Sequence, residues 1–396
     1  MAGSTVEKTA QFVLNTYARA PFVLESGQGA TLTDSDGKTY LDFAAGISVN
    51  ALGHGDAELV AAVGEQMARL GHVCNLYHSA PHADLAEMLC QGSFADKVYF
   101  CNSGAEAIEA AIKFARKSAR ETFGPGKTDL VAFTGSFHGR TAGALALTAR
   151  EQYQAPFRPL MPGVAFAPFN DSAAAEKLIG PGTCAVFVEP VQGEGGVHAA
   201  TPEFLATLRQ ACDRHGALLV FDEIQCGMGR TGRLWAYEHW GVQPDMMTLA
   251  KALGGGLPIG ATLLTDRVAG ALAPGDHGST FAGGPVVCRA AQVVLRRVSA
   301  PAFLARVTAL GARLVERLRD LRSPHIRQVR GLGLMVGVEL DVEAAPLIKA
   351  GYAHGVIMIN AGPQVLRLLP PLIVEEAHID QFAEVLGTIL HEVSSP

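Results

Sequence analysis

Apolar runs of four to seven residues alternate with longer stretches whose apolar positions recur every three or four residues. That rhythm predicts an α/β fold, a mostly parallel sheet covered by helices. The predicted strands are KVYFCN, DLVAFT, CAVFVEP, ALLVFDE, MMTLA and ATLLT. The helical patterns are GAEAIEAAIKFARKSAR, TPEFLATLRQACDRHG and a stretch following AGGPVVCRA that runs to about Leu321 and leads into a second domain. Beyond it, VRGLGLMVGVEL, VIMINA and VLRLLPPL read as short strands, and EEAHIDQFAEVLGTILHEV reads as a closing helix. Near the start, ATLTDSDGKTYLDF predicts a hairpin with Asp36 and Gly37 at its turn.

Composition sets outer limits. A chain of 396 residues, nearly half hydrophobic, suffices for a large cored domain and a smaller one. A net charge of −6 without a Lys/Arg run argues against nucleic acid or an anionic membrane as partner. No window reads as membrane-spanning, and the first twenty residues resemble neither a secretion signal nor a transit peptide, so a cytoplasmic location is expected. The seven cysteines lack C-x-x-C spacing and read as thiols in a reducing compartment. His78 and His82 are separated by Pro81, which disrupts the helix that would align them, so no metal site is expected.

The chemistry begins with Lys251, a lone amine between an apolar run and three glycines, and with Asp222 at the end of an apolar strand. Desolvation favours the neutral amine that attacks an aldehyde, and a buried carboxylate facing a pyridine nitrogen would keep it protonated as an electron sink. This pair points to pyridoxal 5'-phosphate (PLP). Each residue also has a plainer reading, a surface lysine before a loop and a magnesium-binding strand end. No phosphate loop of nucleotide hydrolases fits, because position 121 is Glu and position 32 is Leu where its first glycine belongs. GMGRTG matches a dinucleotide-binding pattern, yet it starts beyond the strand and opens no long helix. The turn Ser103-Gly104-Ala105 opens a helix whose free N–H groups suit a phosphate, while Ser103 with Glu106 also reads as an ordinary capping box. In GSFHGRT, Phe137 could stack on a ring and Arg140 could fork onto a carboxylate; core packing and a surface ion pair are the alternatives.

Taken in order, FCNSGAEAIEAAIKFARK, SFHGRT, FVEPVQGEGGV, LLVFDEIQCGMGRTG, LAKALGGGLPIGA, HGSTFAGGP, VRGLGLMVGVEL and NAGPQVLRLLPPL resemble the subgroup III aminotransferases of PLP fold type I over nearly the whole chain. The resemblance implies a large PLP-binding domain (51–285) and a small α+β domain built from both termini (1–50 and 286–396). It implies that Lys251 bonds the cofactor and shuttles a proton, Asp222 pairs with the pyridinium, Gln225 lies near the phenolic oxygen, and Phe137 stacks on the ring. His138 joins the cofactor set, and Glu189 supports Gln225. The phosphate would take Ser103, Gly104 and Ala105 from one subunit and Thr280 from its partner in a homodimer with shared active sites.

On the substrate side the resemblance assigns Arg140 to the donor's α-carboxylate and to the γ-carboxylate of 2-oxoglutarate. Arg367 would bind the latter's α-carboxylate, with Glu194 covering it otherwise. Ser279 and Tyr17 complete the set. The implied reaction passes the δ-amine of N2-acetyl-L-ornithine to 2-oxoglutarate, giving glutamate, within arginine biosynthesis. N-succinylornithine, free ornithine, 4-aminobutyrate and an N-succinylated diaminopimelate precursor remain open as donors. The chain departs from the family pattern at Ala105, where Thr is usual, at Ile108, and around STFAGGPVV.

Overall fold

A computed structural model describes residues 2–394. Its central sheet has seven strands in the order Lys97–Cys101, Gly260–Leu264, Met246–Leu249, Leu218–Asp222, Thr183–Val188, Asp129–Phe133 and Val164–Ala167. All six predicted strands are present. The edge strand Val164–Ala167 was not read from the sequence; like Met246–Leu249 it is four residues long, but it is only partly buried and so carries a weaker apolar signal. Gly260–Leu264 runs antiparallel to both neighbours, and the adjacent pairs beyond Met246–Leu249 are parallel. Thr183–Val188 and Leu218–Asp222 are buried throughout, which explains their unbroken apolar runs.

Helices start and stop where local chemistry dictates. Thr201 Oγ1 accepts the Phe204 N–H at 3.2 Å, Pro202 opens the helix Pro202–His215, and Gly216 ends it in a left-handed conformation. Ser103 caps Gly104–Phe123 through the Glu106 N–H. The expected capping box is only half formed, because the Glu106 carboxylate reaches back to the N–H of Asn102 instead of Ser103. The single helix expected to reach Leu321 is two, Pro285–Val298 and Pro301–Asp320, bent by 70°. Pro301 lacks the N–H needed to continue the first helix and opens the second.

Two smaller sheets flank this core. One joins Leu24–Gln28, Thr31–Asp34 and Thr39–Asp42 to Val356–Ile357, tying the N-terminal hairpin to the C-terminal part of the chain. The other holds Ile326–Leu332, Met335–Leu340, Val365–Leu368 and Ile359–Asn360. Among the described residues no single helix is long and apolar enough to cross a membrane.

Candidate active site

In an open α/β sheet, ligands collect beyond the carboxyl ends of the parallel strands. Asn102 follows Lys97–Cys101, the Phe137–Arg140 loop follows Asp129–Phe133, Glu189 follows Thr183–Val188, Asp222 ends its strand, and Lys251 lies two residues past Leu249. These segments converge on a cavity of about 520 Å³ lined by Ser103, Gly104, Ala105, Phe137, His138, Arg140, Glu189, Glu194, Asp222, Gln225 and Lys251.

Asp222 is buried, and its Oδ1 accepts the Ile224 N–H at 3.0 Å and the Thr248 hydroxyl at 3.3 Å. Its Oδ2 lies 2.7 Å from Nδ1 of His138. Burial alone would lower the imidazole, but the hydrogen bond and charge of Asp222, with Glu189 adding to them, hold His138 above its ordinary value. Nε2 of this buried ring has no hydrogen-bond partner among the described residues. Burial holds the Lys251 amine below the usual lysine range, opposed by Asp222. Lys251 also has φ of 44°, a left-handed conformation uncommon outside glycine.

A second charged group faces this one. Arg367, on the buried strand Val365–Leu368, pairs with Glu194 Oε1 at 2.6 Å and donates to Gln225 Oε1 at 3.1 Å. Glu194 sits in the tip joining Val191–Gln192 to His198–Ala199, where Arg150 donates to its backbone carbonyl. Arg140 stands exposed at the cavity wall with its guanidinium 3.3 Å from the Tyr153 ring centre and 5.8 Å from that of Phe137.

Some sequence expectations are corrected. Glu189 does not reach Gln225; its carboxylate accepts the N–H groups of Phe137 and Gly193, and burial pushes it up to about 7. Gln225 is held instead by Arg367, with Gly193 so close that a Cβ there would fall 2.1 Å from its Oε1. Tyr17 is 73 % exposed and lines a separate cavity with the N-terminal helix, because the irregular segment after Phe12 packs on that helix. Ser279, expected at the substrate, lies outside the cavity lining of its own chain; Thr280, expected to serve the partner subunit, lies outside it as well and is exposed, which leaves that expectation standing. Sequence reasoning missed the apolar wall of Val49, Ile224, Leu257 and Ile259, which carries no polar signature, and Asn102, which only its place before the turn could have flagged.

The donor set fits PLP: a helix start with first-turn N–H groups for a phosphate, a buried carboxylate backed by an imidazole, and a lysine with depressed basicity around one cavity.

Comparison with known proteins agrees with this geometry. The family model for class-III aminotransferases matches residues 13–390. A mitochondrial acetylornithine aminotransferase of Alnus glutinosa is 53 % identical over 96 % of this chain and 86 % of its own. A succinylornithine transaminase of Yersinia pseudotuberculosis is 46 % identical over 94 % of this chain and 92 % of its own. The ornithine aminotransferase of Toxoplasma gondii, a structure described with partial occupancy of PLP at the active site, superposes with a TM-score of 0.95 at 31 % identity, covering 99 % of this chain and 94 % of that one.

Proposed function

The chain belongs to the class-III aminotransferases, PLP-dependent enzymes, and we propose that it moves the δ-amino group between N2-acetyl-L-ornithine and 2-oxoglutarate, with glutamate as the second product, in arginine biosynthesis. The observation that carries this reading is one cavity holding an amine-and-carboxylate pair, Lys251 and Asp222, opposite a guanidinium, Arg367, closed by its own carboxylate cover.

Bound PLP supplies an aldehyde for the amine and a ring that takes up the electron pair released when the adjacent C–H bond breaks. Lys251 holds the cofactor and moves the proton at the substrate carbon. Asp222, backed by His138, keeps a proton at the ring nitrogen, while Ser103, Gly104 and Ala105 hold the phosphate and Phe137 covers one ring face. Arg140 binds the donor's α-carboxylate, which turns the distal amine toward Lys251. Glu194 neutralises Arg367 while the donor is bound and releases it for the α-carboxylate of 2-oxoglutarate, so one pocket serves both substrates.

The same reading makes the protein a homodimer with Thr280 reaching the partner's phosphate site. Exposed Leu76, Tyr77 and Phe281 support it, since Asn75 bonds the carbonyls of Ser279 and Ala282 and so gathers them near one another. The seven cysteines, none disulfide-bonded, fit the cytoplasm. We propose that the large domain runs from 51 to about 300 and that the small one takes 1–50 and the chain from Pro301, rather than dividing at 285 as the resemblance implies; the packing of Pro285–Val298 on Ala57–Arg69 and Ala80–Gln91 supports this.

Single-turnover absorbance tests the assignment, with the yellow enzyme mixed separately with N-acetylornithine, N-succinylornithine, ornithine and 4-aminobutyrate. The bound cofactor's long-wavelength band is expected to disappear fastest with N-acetylornithine and return with 2-oxoglutarate. Faster loss with another donor would reassign the substrate, and absence of the band would overturn the cofactor reading.

A further inference from the structure

We propose that the two cofactor sites of the dimer are coupled through the hydrogen bond between Asn102 and Ser279, so that filling one raises the affinity of the other. This rests on the reading above, in which Thr280 completes the partner's phosphate site.

Asn102 lines the cavity directly before the phosphate turn. Its backbone N–H donates to Glu106 Oε2 at 2.6 Å, and its Nδ2 divides between the same oxygen at 2.9 Å and Ser279 Oγ at 3.0 Å. Ser279 is the residue before Thr280. Asn75 Nδ2 also donates to the carbonyls of Ser279 at 3.2 Å and Ala282 at 3.0 Å, and among the described residues the link from Asn102 to Ser279 Oγ is the one side-chain contact that ties the Thr280 segment to the phosphate turn.

The helix Gly104–Phe123, which begins at the phosphate turn, also grips the approach to Thr280. Lys117 pairs with Asp276 at 3.0 Å, and Lys113 reaches His277 Nδ1 at 2.7 Å and the Asp276 carbonyl at 3.3 Å. Asp276 in turn accepts the Ala273 N–H at 2.6 Å. One helix therefore carries a subunit's own phosphate turn and the loop that serves its neighbour.

An anion seated on the first-turn N–H groups orders the turn and Asn102, and Asn102 passes that order to Ser279. A Thr280 already fixed loses less conformational entropy when the partner's site fills. The effect is reciprocal between the two sites. Asn102 and Ser279 are positioning residues in this scheme.

The test is a PLP titration of the apo dimer followed by absorbance and tryptophan emission. In the wild type the second binding constant should exceed its statistical value by about fivefold, the scale of one hydrogen bond. Ser279→Ala should bring the ratio to the statistical value in a protein that still sediments as a dimer, and Ser279→Thr should restore it. A statistical ratio in the wild type, or coupling that survives Ser279→Ala, overturns the proposal. Thr280→Ala separates the two levels: weaker PLP binding keeps the shared-site reading standing even if coupling fails, whereas unchanged affinity, or a monomeric wild type, removes both.

Discussion

Arg367 is only 2 % exposed, and its charge is tolerable because Glu194 and Gln225 face it. Glu194 is the more accessible partner, with its side chain 25 % exposed, which suits a cover that swings away. Glu194→Ala leaves the guanidinium without its carboxylate, at a stability cost on the order of 2 kcal/mol after allowing for that partial exposure. An uncovered Arg367 also stands ready for the α-carboxylate of glutamate, which as the product of 2-oxoglutarate binds in the same orientation. Reaction with glutamate should therefore gain by about tenfold in kcat/KM relative to the acylated donor, the scale of one charge-assisted contact. Unchanged donor selectivity in stopped-flow half-reactions would show that Glu194 is no gate. Lys251 is tied to its position by backbone as well as chemistry, held at a φ of 44° at the head of the turn Lys251–Gly254. Lys251→Ala should lower transamination by about 10³-fold or more, the range of a lost proton-transfer group, while the protein still binds PLP by dialysis. Near-normal turnover would remove Lys251 from its role.

Between elements, the strand Leu218–Asp222 delivers two carboxylates in succession with different tasks. Asp222 faces the cavity, while the buried Glu223 turns away and accepts the N–H groups of Ala236 at 2.6 Å and Tyr237 at 2.8 Å, starting the short helix Ala236–His239. Burial pushes Glu223 up to about 8, outweighing those two donors. A carboxyl raised in the folded state contributes stability that is fully present below its unfolded value, near 4.5, and is lost as pH rises through about 8. Glu223→Gln removes that titration and one good acceptor. Its melting temperature should fall furthest below wild type near pH 5, with the gap closing toward pH 8.5; a gap independent of pH would refute the assignment. The sequence made the strands legible because runs such as TCAVFV are buried on both faces. It did not reveal the helices Ala57–Arg69, Ala80–Gln91 and Ala344–Ala353, or the bend ahead of Pro301, where helical periodicity simply restarts. In the site, Lys251, Asp222 and Arg140 were readable because a charge within an apolar or glycine-rich setting stands out, whereas Arg367 came only from the family resemblance. The Arg367–Gln225 contact was not, since it joins residues 142 positions apart.

At the scale of the whole molecule, three of the strongly exposed hydrophobic side chains lie on the segments beside Thr280. Leu76 is 87 % exposed, Tyr77 70 % and Phe281 66 %, on two segments that Asn75 ties together beside Thr280. An apolar cluster left in water beside a polar residue that does not reach its own cavity makes sense if a second copy covers the first and receives the second. Charge reversal of the patch separates association from local folding, because neither Tyr77 nor Phe281 belongs to the buried core. Tyr77→Asp combined with Phe281→Asp should sediment as a monomer with native-like far-ultraviolet dichroism. If each site lacks a donor without its neighbour, PLP affinity in that monomer should fall by about tenfold or more, the scale of a lost hydrogen bond to a charged phosphate. Transamination should fall with it. A monomer that keeps full PLP affinity would mean that each chain builds its phosphate site alone, and Thr280 would have no part in it. A variant that stays dimeric would move the interface to another face of the molecule.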